Sequence, residues 1–295
     1  MIAATLLLAA AFQLPPQSSD AVIGVSAIHL ESGRRISVRG AERFPMGSVY
    51  KFPIVLAALQ RVDDGTLKLD QQITIEPKDF SPGWSPLRDE AKGKPITISL
   101  RELLRYTVSI SDNTACDNTI RLLGGPAAVA ARMKALGAGG IRIDRTEKTI
   151  AAHLNEPGGR AEYAKDPRDT ATPDDMAALL LAFWNRRDGL SKASHDLLMQ
   201  WMIDTPTGVR RIKSVLPPGA VIAHKTGTMP GVVNDAAIVT SPDGKDHVVL
   251  VIFSKAGTSP EKIREDDVAA VAKKVLGELV GRKQPRSGEW RERHR

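Results

Sequence analysis

The order of hydrophobic periods along the chain constrains its fold more than any other feature. Short β-rich runs flank a glycine turn between Ala21 and Arg39, and similar runs return only after residue 219. Between them, from about Lys51 to Gln200, the apolar positions repeat with helical spacing. The pattern therefore predicts an α/β chain of the α+β type, in which both ends contribute strands to one antiparallel sheet and the middle forms a helical lobe.

The predicted elements follow from these periods and from the turns between them. Beyond the N-terminal hairpin, helices are expected at 51–62, 99–108, 114–123, 127–136, 173–185, 193–202 and 260–279, and strands at 220–225, 235–239 and 247–253. The domain prediction is a signal peptide and linker at 1–20, a sheet domain from 21–50 together with 203–280, a helical domain at 51–202, and a disordered basic tail at 281–295. A cleft between the two domains is the expected place for a functional site.

The N-terminus predicts export. Residues 2–12 form an apolar run of signal-peptide length, and a small-residue site such as 9–11 could be cleaved. Because no Lys or Arg precedes the run, the signal is either atypical or begins upstream, and a first core strand or helix is the alternative. No later run reaches the roughly 18 apolar residues that span a membrane. We expect a periplasmic or secreted monomer without membrane association after export.

Charge and metal-ligand residues argue against several other classes of function. The net charge is +7, but residues 282–295 alone hold six Lys/Arg and two Glu, which is typical of a solvated tail. No basic patch with interleaved aromatic residues accompanies it, so no nucleic-acid partner is expected. The single cysteine, Cys116, excludes an intramolecular disulfide and is expected to be a buried structural thiol. The six histidines are scattered, which predicts no zinc site and no metal.

Ser48 and Lys51 form an S-x-x-K sequence at the start of a predicted helix. Residues three apart share one helix face, so the lysine can reach the serine hydroxyl. A serine becomes a nucleophile only when a base takes its proton, and a lysine can do so where burial or nearby charge lowers its pKa. The helix N-terminus also offers N–H groups to an oxyanion. Alone, however, the motif fits a capping serine and a surface lysine better.

Two further motifs change that interpretation. Ser111-Asp112-Asn113 lies where one helical run ends and another begins, and Lys225-Thr226-Gly227 follows a β-rich run. In this order, S-x-x-K, S-D-N and K-T-G are the signature of class A β-lactamases and penicillin-binding proteins. The chain resembles class A β-lactamases, which implies a five-stranded antiparallel sheet flanked by helices, an all-helical lobe, no cofactor, and hydrolysis of the β-lactam ring of penicillins and cephalosporins.

The resemblance covers nearly the whole mature chain. Residues 44–46 lead into the serine as in class A enzymes, residues 136–147 match the opening of their omega loop, and residues 168–173 match its close. Residues 48–51, 85–89 and 115–117 are more similar to an outlying subgroup that includes extended-spectrum cephalosporinases.

Glu147 separates a lactamase from a penicillin-binding protein in this comparison, because a carboxylate beside the acyl-enzyme can activate a water for hydrolysis. The chain departs from the family at Ala151, where members often have an Asn that helps to hold this water. The loop after Glu147 is also longer than usual and contains a second candidate, Glu156. Glu147 is favoured because Arg145 precedes it at the family spacing and could pair with Asp169.

The resemblance implies roles for the other site residues. Lys225 and Thr226 would bind the substrate carboxylate, and Ser111 would link Lys225 to Lys51. Asn113 would bind the substrate's side-chain amide. The oxyanion hole would use the backbone N–H groups of Ser48 and of Thr228, which follows Gly227 of the K-T-G motif. Either Lys51, or Glu147 through a water, could take the proton of Ser48.

Four further residues near the motifs need an interpretation, and for two of them the sequence leaves two alternatives open. Asn234 stands where many class A enzymes have an arginine, and Arg211 stands where other members place a substitute; Arg211 could instead be a surface residue near Arg210. Trp84 could form an aromatic wall of the cleft or be an exposed loop residue. His224 precedes Lys225 on one strand, so it points to the opposite face and is interpreted as structural.

Other functions share part of this pattern. A penicillin-binding protein, such as a D-alanyl-D-alanine peptidase, would acylate without needing Glu147. A β-lactam sensor domain needs a membrane-spanning segment, for which only the short N-terminal run is available. An esterase for simple acyl substrates would not need K-T-G to hold a carboxylate.

Overall fold

A computed structural model describes residues 12–280 and shows the chain as an α+β fold. The strands are β1 (Val22–His29), β2 (Arg35–Val38), β3 (Phe44–Pro45), β4 (Gln72–Ile75), β5 (Ile96–Ser99), β6 (Thr170–Ala171), β7 (Val221–Met229), β8 (Val232–Thr240) and β9 (His247–Lys255). The helices are α1 (Lys51–Asp63), α2 (Pro86–Ala91), α3 (Leu100–Val108), α4 (Asn113–Leu122), α5 (Pro126–Ala135), α6 (Glu147–Leu154), α7 (Gly159–Glu162), α8 (Pro173–Trp184), α9 (Lys192–Ile203) and α10 (Glu261–Val280).

The central sheet has five antiparallel strands in the order β2-β1-β9-β8-β7. It is built from the two ends of the chain, as the sequence predicts. Its two faces pack against different layers, so alternate residues of β9 enter different cores. Val251 and Phe253 join the core shared with the helical lobe, whereas Leu250 and Ile252 join the core under α10.

The helical layer is organised around α1. Every residue from Lys51 to Leu59 is buried, because α1 packs against α3, α4, α5 and α9. A lysine at the start of an otherwise apolar buried helix has to find polar partners inside the protein. Helix α8 lies within 51–202 but packs on β1, β8 and β9. The proposed division into sheet and helical domains therefore stays a prediction.

The structure departs from the predicted elements around Ser48, in β7, and in elements that were not predicted, which include α2, α6 and α7. Ser48 lies in a 3₁₀ turn (Gly47–Tyr50) before α1, because Pro53 has no N–H with which to continue the α-helical bonding toward the N-terminus. The K-T-G residues lie inside β7, which is longer than expected. The hairpin β4–β5 and the two-residue pair β3–β6 have no counterpart among the predicted elements.

Two of the terminal predictions concern residues outside the described part of the chain. These are most of the apolar signal-peptide run and the basic tail at 281–295. Within residues 12–280, no helix has the length and apolar character needed to cross a membrane.

Asn234 of β8 fixes the approach to the 3₁₀ turn that carries Ser48. Its side-chain Nδ2 donates to the carbonyl oxygens of Pro45 (2.8 Å) and Met46 (3.1 Å), and its Oδ1 accepts from the Ser254 amide (2.8 Å). The side chain is fully buried. The residue at the position of the expected family arginine therefore ties β3 to the sheet.

Replacing Asn234 with Ala should lower the free energy of unfolding by about 3 kcal/mol, because several buried backbone groups lose their partners. Urea denaturation measures this. Asn185→Ala, at an exposed helix end, is the control and should change stability by less than about 0.5 kcal/mol. Equal effects of the two substitutions would contradict the anchoring role.

Candidate active site

A cleft of about 490 Å³ lies between the 3₁₀ turn, β7 and the helical layer. The predicted site residues on its walls are Ser48, Trp84, Ser111, Asn113, Glu147, Arg211, Thr226 and Thr228. Lys51 and Lys225 are fully buried and contact residues of this wall from beneath. The structure thus brings together residues from three motifs that are far apart in the sequence.

Gly227 allows β7 to approach the serine-bearing turn closely. A Cβ atom at Gly227 would lie 2.4 Å from the Met46 carbonyl oxygen and 3.2 Å from the Ser48 amide nitrogen. The first distance is too short for any larger residue without backbone movement, and the second is tighter than an ordinary van der Waals contact. The amides of Ser48 and Thr228, the expected oxyanion donors, therefore belong to two segments that touch at this glycine.

Lys51 is held by three acceptors from different parts of the helical layer. Its Nζ donates to the Ser111 carbonyl oxygen (2.8 Å) and to Asn113 Oδ1 (2.7 Å), and lies 2.9 Å from Glu147 Oε1. The first two contacts are hydrogen bonds, whereas the third is an ion pair without hydrogen-bond geometry, since Glu147 Oε1 has no hydrogen-bond partner. The arrangement is that of a charged lysine whose burial is compensated by a carboxylate.

Ser111 connects the two buried lysines. Its carbonyl accepts from Lys51, and its Oγ lies 2.9 Å from the Nζ of Lys225. The residue has a φ of +63°, which is unusual for a non-glycine residue. Asp112 fixes the turn by accepting hydrogen bonds from the amides of Ala115 and Leu87, each 2.8 Å. Burial raises the pKa of the Asp112 carboxyl, although these bonds act in the opposite direction.

Lys225 is buried beside other cations. Besides Ser111, its Nζ donates to the Thr226 carbonyl oxygen at 2.9 Å. Burial, followed by the charges of Lys51 and Arg211, holds the pKa of Lys225 well below its ordinary value. A perturbed cation at a cleft wall is typical of a functional site.

Glu147 is the first residue of α6, and Asp117 of α4 fixes it there. The Asp117 carboxylate accepts hydrogen bonds from the amides of Glu147 (2.6 Å) and Lys148 (2.9 Å). Burial raises the pKa of the Asp117 carboxyl, and the hydrogen bonds it accepts oppose that effect. Asp117 had no role in the sequence interpretation, although it belongs to the stretch 115–117 that pointed to the subgroup.

The extended loop is clamped by ion pairs at its base. Arg145 Nε lies 2.6 Å from Asp169 Oδ2, which confirms the predicted pairing, and Arg145 Nη1 lies 2.9 Å from Asp166 Oδ2. Partial burial would raise the pKa of Asp166, but bonds from Arg168 and the charge of Arg145 hold it at about 2. Asp166 is therefore held in its ionised form, whereas burial raises the pKa of Asp169 against the hydrogen bonds that it accepts from the Asp144 amide and from Arg145.

The two candidate glutamates occupy different environments. Glu147 is 6% exposed and lines the cleft. Glu156 is exposed, lies outside the residues that line the cleft, and contacts His153 at 3.4 Å. Ala151 also lines the cleft, with Ile150 and Leu154, so the wall beside Glu147 is apolar where family members often have Asn.

Arg211 is 3% exposed, which excludes its alternative interpretation as a surface residue. Its Nη1 donates to the carbonyl oxygens of Gly227 (3.2 Å) and Asn234 (2.9 Å), and its Nη2 reaches Thr228 Oγ1 (2.6 Å). Its Nε pairs with Glu265 of α10 at 3.0 Å. The guanidinium thus stabilises the end of β7 through its backbone carbonyls, and one edge of it contacts Thr228 on the cleft wall.

The remaining wall residues lie at the entrance and along β7. Trp84 is 62% exposed, and its Nε1 donates to the Ile110 carbonyl oxygen at 2.9 Å, so its ring is fixed at the cleft mouth. Thr226 Oγ1 lies 2.7 Å from Thr207 Oγ1, a neighbour that the sequence interpretation missed. His224 is fully buried and is not among the residues that line the cleft, and its Nδ1 contacts Asp235 at 2.9 Å.

Comparison with known proteins matches this geometry to a family. Residues 8–279 match the family model described as "Beta-lactamase enzyme family". The chain belongs to the β-lactamase enzyme family. It is 33% identical to Beta-lactamase VEB-1 of Pseudomonas aeruginosa, over 87% of this chain and 85% of that one. It is 31% identical to Extended-spectrum beta-lactamase PER-1 of the same species, over 85% of this chain and 80% of that one.

Solved structures give the same result. TLA-3 extended-spectrum β-lactamase superposes with a TM-score of 0.80 and 32% identity, covering 89% of this chain and 94% of the other. A β-lactamase from Chitinophaga pinensis DSM 2588 superposes with a TM-score of 0.78 and 37% identity, covering 86% of this chain and 92% of the other. These relatives confirm the fold and the resemblance to class A enzymes with extended-spectrum members. The chain is a class A serine β-lactamase, a hydrolase of β-lactams.

Gly227→Ala should lower kcat/KM for a chromogenic cephalosporin by about 100-fold or more, because the new Cβ separates the two expected oxyanion donors. Gly277→Ala is a matched control, since a Cβ there meets no atom within 4 Å. It should leave kcat/KM unchanged and stabilise α10 slightly. Full activity of the Gly227 variant would show that the close approach is not required.

Proposed function

We propose that Ser48 attacks the lactam carbonyl carbon of penicillins and cephalosporins. The Ser48 Oγ–C bond forms, the ring C–N bond breaks, and the ring nitrogen takes a proton. The observation that carries this assignment is the continuous network beside Ser48. Ser111 links Lys225 to Lys51, and Lys51 in turn pairs with Glu147. The Ser111 link runs through a backbone carbonyl and fixes the positions of the groups, whereas Lys51 and Glu147 can hold or release a proton beside a nucleophile on the same wall.

Two groups could act as the base that takes the proton of Ser48. The contacts favour Glu147 acting through a water, because its buried Oε1 accepts no hydrogen bond, whereas Lys51 Nζ already donates to two oxygens. Lys51 then supplies positive charge beside the reacting serine. Where Glu147 is removed, Lys51 loses its carboxylate partner, and burial favours the neutral amine. Lys51 can then replace Glu147 in acylation.

Deacylation needs a base that can direct a water at the ester carbon, and we assign this step to Glu147. Water adds to the acyl carbon while Glu147 takes its proton, the Ser48 Oγ–C bond breaks, and the proton returns to Ser48. Asp117 supports this role because it fixes the first turn of α6. The apolar Ala151 offers no side-chain hydrogen bond to this water, so we assign its orientation chiefly to Glu147.

The substrate-binding residues are proposed from their positions on the wall. Lys225 and Thr226 bind the substrate carboxylate, with Thr207 orienting the Thr226 hydroxyl. Asn113 binds the side-chain amide, and the amides of Ser48 and Thr228 bind the oxyanion. In an accessory role, Arg211 fixes the hydroxyl of Thr228 and adds positive charge, and Trp84 forms the aromatic side of the entrance.

We also propose that the enzyme is exported, through the apolar run at 2–12, and acts as a periplasmic or secreted monomer. The substrate class supports this location, because β-lactams act on targets outside the cytoplasmic membrane. Sustained turnover of a chromogenic cephalosporin by the purified enzyme tests the function as a whole. Stoichiometric acylation without turnover would instead favour a penicillin-binding protein.

Glu147→Ala should accumulate an acyl-enzyme, because deacylation slows by about 100- to 10,000-fold while Lys51 still supports acylation. Intact mass spectrometry after exposure to benzylpenicillin measures this as an increase equal to the whole mass of the penicillin. Glu156→Ala is the matched control within the same loop and should return to the free mass. Accumulation in the Glu156 variant alone would transfer the deacylating role to Glu156.

In the pH profile of kcat/KM, the alkaline limb should have a pKa below the ordinary pKa of a lysine. A protonated Lys225 attracts the substrate carboxylate, and this attraction is complete below its lowered pKa and is lost as the pH rises through it. Arginine stays charged, so Lys225→Arg should move the limb to higher pH, whatever its effect on the maximum rate. Circular dichroism checks that the variant is folded. If the wild type and the folded variant have the same alkaline limb, Lys225 is not its origin.

A further inference from the structure

A cluster of metal-ligating side chains lies away from the cleft, where β1 ends and β9 begins. His29 is the last residue of β1, Glu31 belongs to the turn after it, and Asp246 precedes β9. From the strand register, this point is three strands from β7 and about three residues along the sheet from Lys225. The separation from the active site is therefore roughly 15–20 Å.

We propose that His29, Glu31 and Asp246 bind a divalent transition-metal ion of the zinc type. One ligand atom from each of the three lies within 4.8 Å of the others. His29 Nε2 is 3.0 Å from Asp246 Oδ1 and 3.5 Å from Glu31 Oε2. Tetrahedral ligands at about 2.1 Å from a zinc ion stand about 3.4 Å from one another. The two separations from His29 are thus already near the spacing that such an ion requires, and the carboxylate oxygens of Glu31 and Asp246 lie within 4.8 Å of each other.

The residues around the cluster orient two of the three ligands. In this structure the Ser32 amide donates to His29 Nδ1 at 3.3 Å and Nε2 contacts Asp246, so metal binding at Nε2 moves the ring proton to Nδ1, where Ser32 Oγ can accept it at 2.8 Å. Glu31 is held by His247, whose backbone amide donates to Oε2 at 2.9 Å and whose Nδ1 contacts Oε1 at 2.6 Å. Burial would raise the pKa of Glu31, but the bonds from His247 hold it below its ordinary value. Supporting hydrogen bonds of this kind are typical of metal sites.

The donor set indicates the class of ion. One imidazole with two carboxylates suits zinc, cobalt or nickel, whereas calcium and magnesium prefer oxygen ligands alone. Because His29 and Asp246 are 217 residues apart in sequence, local spacing gave no signal, and the sequence predicted no zinc site. The ion would join the β1–β2 turn to the start of β9, so its expected effect is on stability and not on the reaction.

The test is thermal unfolding of the metal-free full-length enzyme with and without Zn²⁺. At zinc concentrations about 100 times the dissociation constant, Tm of the wild type should rise by roughly 5–10 °C. Glu31→Gln with Asp246→Asn preserves the shapes of both side chains and should abolish the rise. Asp243→Asn changes an exposed carboxylate in the same β8–β9 turn, which contacts Ser241 and Lys245, and should retain it.

Cobalt provides a second readout that does not depend on stability. Co²⁺ should give the visible absorption of a low-coordinate site with one ion per wild-type chain. It should also quench Trp184, whose ring lies 4.5 Å from that of His247. The single variant Asp246→Asn should weaken binding about 10- to 100-fold. No response in the wild type, or a full response in the double variant, would overturn the proposal.

Discussion

The active site depends on the burial of two ammonium groups within one network. Lys51 and Lys225 are both completely buried, and isolated charges in that environment would each cost several kcal/mol. Ser111 lowers this cost by offering its carbonyl oxygen to one lysine and its hydroxyl to the other, and Glu147 supplies the compensating negative charge. Removing Ser111 or Glu147 takes a polar partner away from at least one buried lysine. The groups that the chemistry needs are therefore also groups that the folded state must keep together.

Three separate scaffolds bring this network together. Lys51 is fixed by a helix buried on all sides, Ser111 by a strained turn that Asp112 holds, and Lys225 by a strand whose end Arg211 supports. Each support comes from groups distant in sequence, such as Asn234 under the serine-bearing turn and Asp117 under α6. Errors in one support would move one catalytic group relative to the others, so the precision of the site is a property of the whole fold.

Much of the fold was predictable because its long elements have strong periods. Helix α1 and strands β7 to β9 carry enough apolar residues to reveal their type, and the three motifs located the site residues. The rest depended on distant partners. The four-residue strand β4 does show the alternation of polar and apolar residues that is typical of a strand, but it is short, and its partner β5 follows only after 20 intervening residues. Asn234 and Arg211 could be aligned with family positions, but their backbone partners are visible only in three dimensions.

The two anchors of the extended loop have a consequence for how this enzyme can vary. Asp117 fixes the start of α6, and the clamp formed by Arg145 with Asp166 and Asp169 fixes the base of the loop. The additional residues lie between these points, so a change in their number does not move Glu147. Lengthening a closed loop costs little, only about 0.6 kcal/mol for each doubling. The exposed residues 155–158 are thus free to evolve in number and shape while the hydrolytic carboxylate keeps its place.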